Sequence, residues 1–195
     1  MFIRRLWIKY NIGKKNSARS KFLDQVIPKG GVAAELGVHK GYFTRYILDI
    51  TKPEKLHLID PWYLRGKHWK WDKGDGSTID ALIGILRAFG DELVNKTIVL
   101  HIGADLEVLC TFPDQYFDWV YVDTTHSYEQ TRKELHLLKS KVKTDGIIAG
   151  DDWLTDPNHR HHGVCRAVRE FIEHEPFVVI YASETDYQWA IRRDG

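Results

Sequence analysis

The sequence predicts an α/β fold: a doubly wound, mostly parallel sheet of Rossmann-like type that finishes with an antiparallel strand. Three observations carry that expectation. Short apolar runs alternate with stretches of helical periodicity through five successive units, the pattern of a parallel sheet covered on both faces. The last two apolar runs, residues 178–181 and 188–191, follow one another across a polar loop with no helix between them. Several runs stop at an acidic residue, and in open sheets of this kind ligands sit beyond the carboxyl ends of the strands.

Taken in order, Val32 to Leu36 is the first strand, closed by Gly37, and Tyr42, Phe43, Tyr46, Ile47 and Ile50 then recur at helical spacing. Residues 56–59 form a second buried strand ending at Asp60 and Pro61. Ser77 and Asp80 make a capping-box-like start to a helix carrying Ile79, Leu82, Ile83, Leu86 and Phe89. Residues 97–102 and 119–122 are the next strands, the second ending at Asp123. Ser127 with Gln130 is a capping box, and Tyr128, Thr131, Leu135, Leu138 and Val142 lie along one face of the helix it opens. Asp145 and Gly146 turn the chain into strand 147–150, which stops at Asp151 and Asp152. Val164, Ala167, Val168, Phe171 and Ile172 stripe a further helix before the two closing strands.

Composition narrows the function classes. The 195 residues suit a single domain, 1–195, with 1–28 as an N-terminal cap segment and 29–195 as the catalytic sheet and helices. A hydrophobic share of 43% with 28% charged residues is ordinary for a globular chain and excludes a disordered tail. Lys and Arg number 28 against 27 Asp and Glu, so no global field favours nucleic acid. Two cysteines, Cys110 and Cys165, cannot build a disulfide framework and point to reduced thiols and a cytoplasmic setting. The longest uncharged apolar stretch, 177–183, falls far short of the roughly 20 residues that span a bilayer. The composition therefore points to no nucleic acid and no membrane span as partners, with room for a homo-oligomer.

The segment Glu35-Leu36-Gly37-Val38-His39-Lys40-Gly41 lies at a strand exit and helix entry, where glycines let the backbone approach a ligand closely. A dinucleotide fingerprint would place glycine where Glu35 stands, and a carboxylate there repels a pyrophosphate but suits a cationic or amine-bearing ligand. Asp60, at the end of the second strand, can accept both ribose hydroxyls of a nucleoside. Together these motifs resemble those of class I S-adenosylmethionine-dependent methyltransferases, from about Val32 to Ile191. The resemblance implies the seven-stranded methyltransferase sheet and S-adenosylmethionine as cofactor, contacted by Glu35, Gly37, Gly41 and Asp60. Gly103-Ala104-Asp105 resembles the adenine-contacting turn of that family, which implies contacts from Ala104 and Asp105; the family often has serine at the latter position.

The segments 120–128 and 146–153 are similar to those of the small metal-dependent O-methyltransferases of the macrocin and cephalosporin-tailoring kind, and more distantly to catechol O-methyltransferase. That similarity implies Asp123, Asp151 and Asp152 as ligands of Mg²⁺ (or Mn²⁺ or Ca²⁺) and His126 as general base. Elementary chemistry agrees. Three carboxylates at neighbouring strand ends, roughly 5 Å apart, repel unless a cation neutralises them, and an all-oxygen set suits those ions rather than zinc. The plainer alternative is that Asp152 caps the following turn and Asp123 touches the cofactor.

The resemblance implies methyl transfer to a hydroxyl of a small molecule or sugar, assisted by a divalent metal and a histidine base. A nicotinamide oxidoreductase would want glycine in place of Glu35, and a non-catalytic S-adenosylmethionine-binding module has no need of an acidic trio beside His126. The cluster His159-Arg160-His161-His162 lacks a cysteine or fourth ligand spacing for zinc and reads as a polar rim for an anionic or sugar substrate. Residues 62–71, with three tryptophans and several basic groups, read as a lid or acceptor platform. The basic and apolar N-terminal residues read as a cap on this domain or on its twin.

Overall fold

The computed structural model describes residues 18–63 and 77–195. A helix over residues 18–26, here α1, leads into β1 (Val32–Leu36), α2 (Tyr42–Thr51), β2 (Lys55–Asp60), α3 (Ser77–Ala88) and α4 (Gly90–Val94). The chain continues through β3 (Ile98–Ile102), α5 (Asp105–Cys110), β4 (Phe117–Val122), α6 (Tyr128–Lys141) and β5 (Val142–Gly150). It closes with α7 (His162–His174), β6 (Phe177–Ala182) and β7 (Trp189–Arg193). The strands form one seven-stranded sheet in the order β3-β2-β1-β4-β5-β7-β6. All neighbours from β3 to β5 are parallel, while β7 runs antiparallel between β5 and β6. Strand order reverses between β1 and β4, and the crevice beyond their ends is where such a sheet binds its ligand.

Two apolar layers hold the sheet, one on each face. Alternation along β4 sends Trp119 and Tyr121 to the layer under α1, α2 and α3, with Phe22, Leu23, Phe43, Ile47 and Ile85. Val120 and Val122 go to the layer under α5, α6 and α7, with Leu109, Leu135, Leu138, Val168 and Phe171. Ser127 caps α6 as expected, its hydroxyl accepting from the Gln130 amide N–H at 3.3 Å, but the box is not closed, because the Gln130 side chain turns to Asp105 and Glu134.

Three expectations need correction. The buried side of α3 is Thr78, Ala81 and Ile85, followed by Phe89, whereas Ile83 and Leu86 face solvent. Apolar residues occur on two faces of this helix, so periodicity alone does not orient it. The short α4 was not anticipated. The turn at Asp145 and Gly146 lies inside β5: that strand advances from Val142 to Ile147 while β4 advances only from Phe117 to Trp119. Of the expected N-terminal cap only residues from 18 onward are described, and of the tryptophan-rich loop only Trp62 and Tyr63.

At the switch point the ends of β1 and β4 almost touch. The Asp123 amide donates to the Leu36 carbonyl at 2.9 Å, and the Gly37 amide donates to the Ile59 carbonyl at 3.0 Å. Gly37 has φ of 84°, and a Cβ there would overlap the Asp123 carbonyl oxygen. Glycine is thus required for packing one strand end on another, in addition to any approach of a ligand. Among the described residues no helix is long and apolar enough to cross a membrane.

Candidate active site

A cavity of about 780 Å³ opens over the carboxyl ends of β1, β2 and β4, within the range of sites that enclose a small organic ligand. Its walls include Glu35, Asp60 and Asp105 toward one end, and Asp123, His126 and Asp152 toward the other. Gly37 and Ala104 also line it. Gly41 does not; it precedes α2 with φ of 67° and borders a neighbouring groove with Phe89.

On the first side, Glu35 is buried at the end of β1 and accepts a hydrogen bond from Thr44 Oγ1 at 2.7 Å. Burial pushes its carboxyl up to about 8, with the Thr44 bond opposing. Asp60 accepts from the His39 amide at 2.9 Å, and burial raises it to about 6. The indole N–H of the buried Trp62 donates to the His39 carbonyl at 2.8 Å. The end of β2 therefore grips the loop after β1 from both sides of His39, which explains how the 35–41 segment is held open. Asp105 accepts from Gln130 Nε2 at 2.8 Å, and the same amide donates to Glu134 Oε1 at 3.1 Å. Glu134 also accepts from Thr124 Oγ1 at 2.7 Å, and burial with Asp105 nearby drives its carboxyl well up, toward the protonated form.

The other side is organised differently. The Asp151 carboxylate is buried and both its oxygens are used: Oδ1 accepts from Gln188 Nε2 at 2.6 Å, and Oδ2 accepts from Arg19 Nη2. The same Nη2 donates to Asp123 Oδ2 at 2.8 Å. Tyr121 donates to Gln188 Oε1 at 2.5 Å, fixing which way that amide points. Asp152, with φ of 63°, turns away from this pair. One of its oxygens, Oδ2, lies 2.9 Å from His126 Nδ1 and 2.6 Å from His161 Nδ1. The two imidazoles stack at 4.7 Å between centroids, and desolvation lowers the affinity of His161 for a proton. His126 Nε2 is 3.7 Å from Asp123 Oδ1, at the cavity wall.

This arrangement bears on the expected metal. Asp123, Asp151 and Asp152 do come together at the ends of β4 and β5, but not as a cradle for an oxygen-bound dication. Both Asp151 oxygens already face protein donors, one of them the Arg19 cation, Asp123 shares that guanidinium, and Asp152 is engaged by two rings. A dication among them would stand against a fixed, fully charged Arg19. The three carboxylates do not fit the group. The donors that do cluster, His126, Asp152 and His161, bring one atom each within 4.8 Å of one another and form a nitrogen-rich set, unlike the all-oxygen one expected. Arg19 was missed as a site residue, and His161 was expected only at the rim. The first had a signal: it shares a helix face with the fully buried Phe22 and Leu23, where a lone cation must find an acid.

A family model described as a methyltransferase domain matches residues 34–153, well over half of the chain. The chain belongs to the class I S-adenosylmethionine-dependent methyltransferases. No curated protein matches this methyltransferase by sequence. Solved structures resemble it in fold. A Corynebacterium glutamicum protein, 14% identical, has a TM-score of 0.65 over 93% of this chain and 81% of its own. A Podospora anserina methyltransferase solved with S-adenosylhomocysteine bound is 16% identical, with a TM-score of 0.65 over 93% of this chain and 78% of its own. A candidate caffeoyl-CoA O-methyltransferase from Staphylococcus aureus is 13% identical, with a TM-score of 0.63 over 92% of this chain and 82% of its own.

Proposed function

We propose that this methyltransferase transfers the methyl group of S-adenosylmethionine to a hydroxyl of a small molecule or sugar, with His126 as general base. The observation that supports it is a single cavity with acids that lack ion-pair partners among the described residues at one end and a carboxylate-oriented imidazole at the other. Asp60 receives the ribose hydroxyls, Gly37 and Ala104 offer backbone, and Asp105, steadied by Gln130, faces the adenine. Glu35 lies toward the positively charged amino-acid end. Gly41 shapes the loop without lining the cavity.

Bound S-adenosylmethionine supplies an activated methyl group and departs as S-adenosylhomocysteine when the C–S bond breaks and the O–C bond forms. A hydroxyl is a poor nucleophile until its proton has somewhere to go, which is the base's task. With Nδ1 turned to Asp152, His126 presents Nε2 toward the cavity wall and takes the proton there. The Asp152 carboxylate then stabilises the imidazolium, as in other acid-oriented histidine bases. No step is assigned to a metal ion, because Asp123, Asp151 and Asp152 are already occupied by the protein's own donors. The test is transfer of labelled methyl from S-adenosylmethionine to a panel of phenols, sugars, amines and thiols. Labelling of amines or thiols with hydroxyl acceptors untouched would overturn the reading.

A further inference from the structure

We infer that Arg19 is the built-in cation of the acceptor end, standing between Asp123 and Asp151 so that the helix over residues 18–26 completes the active site and no divalent ion binds there. The inference goes beyond the proposed function, resting on it only for the naming of the acceptor end. Two carboxylates at the ends of adjacent parallel strands must be neutralised, and a mobile ion or a fixed side chain can do it. Here one guanidinium nitrogen bridges both acids. The side chain is only 5% exposed, and its guanidinium lies over the Phe43 ring at 4.8 Å and beside that of Tyr121 at 5.8 Å. Such a slot suits the flat, weakly hydrated face of arginine and would not suit a hydrated Mg²⁺.

The delivery of this cation is built into α1. Phe22 and Leu23, one turn on from Arg19, have no exposed surface, and the Phe22 ring packs on Tyr121 and Tyr181. The helix is therefore anchored on the sheet next to the acids it neutralises. Asp151 is oriented from its other side by Gln188, which Tyr121 fixes in turn, so the acid is held toward Arg19 from two directions. Arg19 Nε is also buried without a partner among the described residues, a cost accepted for the position of the guanidinium. Arg19 is a positioning residue in this account. It sets where Asp123 stands against His126 Nε2, and it removes the like-charge repulsion that would otherwise splay β4 and β5.

The test uses Mn²⁺ as probe, with bound ion counted by electron paramagnetic resonance on the purified full chain. Wild type and Asp151→Asn should take up equal amounts of Mn²⁺. Arg19→Ala should gain a site at least tenfold tighter than any on wild type, and Arg19→Ala/Asp151→Asn should lose it again. Arg19→Lys, which keeps the charge, should behave as wild type. Mn²⁺ bound by wild type and lost in Asp151→Asn would overturn the inference, as would a folded Arg19→Ala that gains no site. Where Arg19→Ala does not fold, the comparison of wild type with Asp151→Asn decides alone. S-adenosylhomocysteine binding, measured calorimetrically on the same samples, separates failure of this inference from failure of the methyl-transfer reading.

Discussion

The two ends of the cavity treat negative charge in opposite ways. At the ends of β1 and β2, Glu35 and Asp60 are buried against hydroxyl and amide donors with no ion pair among the described residues, and their carboxyls are pushed up to about 8 and about 6. At the ends of β4 and β5, Asp123 and Asp151 share Arg19, and Asp152 is flanked by two imidazoles. The first set is electrically incomplete and suits a ligand that brings positive charge and hydroxyls. The second is neutralised within the protein, which supports the proposal that it offers an acceptor a basic nitrogen rather than a Lewis acid. The difference teaches how one strand-end motif can serve two purposes: acids await a partner where a cofactor supplies one, and receive one from the chain where it does not.

Several substitutions would break or sharpen this contrast. The largest effect is expected for His126→Ala, a loss of about 10²–10⁴ in methyl-transfer rate with cofactor affinity nearly unchanged, read from initial rates and calorimetry. An equal loss in cofactor affinity would move His126 to the other end of the cavity. Next, Arg19→Ala leaves the buried Asp151 and the partly buried Asp123 without their cation and should lower stability by about 3–5 kcal/mol in denaturant titration, with Arg19→Lys recovering part of it. Asp60→Ala should weaken S-adenosylhomocysteine by about 1.5–3 kcal/mol, the range of a charged hydrogen bond.

The smallest expected effect is on pH dependence. Glu35 holds a proton in the folded state up to about pH 8, against an ordinary carboxyl near 4.5 in the unfolded chain. The stability it favours is fully present below about 4.5 and is lost as pH rises toward 8. Asp60 acts in the same direction over 3.8 to about 6. Glu35→Gln should therefore flatten the decline of ligand-free stability across that window, seen in thermal melts at stepped pH. An unchanged slope would place the burden on other groups.

Much of the fold was legible in the sequence because parallel strands buried on both faces read as near-continuous apolar runs, and because helix α6 carries its own cap at Ser127. The buried face of helix α3 was not legible, since Ile79, Leu82, Ile83 and Leu86 give it apolar residues on more than one side. The site's acids were legible one by one from their places at strand ends. Their partners were not, because Arg19 lies 104 positions from Asp123 and 132 from Asp151, and only the packed sheet brings α1 beside them. His161 was placed on the rim by its polar neighbours, yet it stacks on His126 through the geometry of the loop before α7. Gly37 was read as room for a ligand and also proves to be room for the Asp123 backbone.

The central claim, a cofactor end that needs its ligand's charge and hydroxyls beside an acceptor end that needs no ion, is tested most directly by titrating S-adenosylhomocysteine into the full chain in the presence of chelator. The account predicts saturable binding with an affinity that added Mg²⁺ leaves unchanged and that Asp60→Ala reduces about tenfold or more. Absence of binding at millimolar ligand, or binding that appears only when Mg²⁺ is restored, would contradict it.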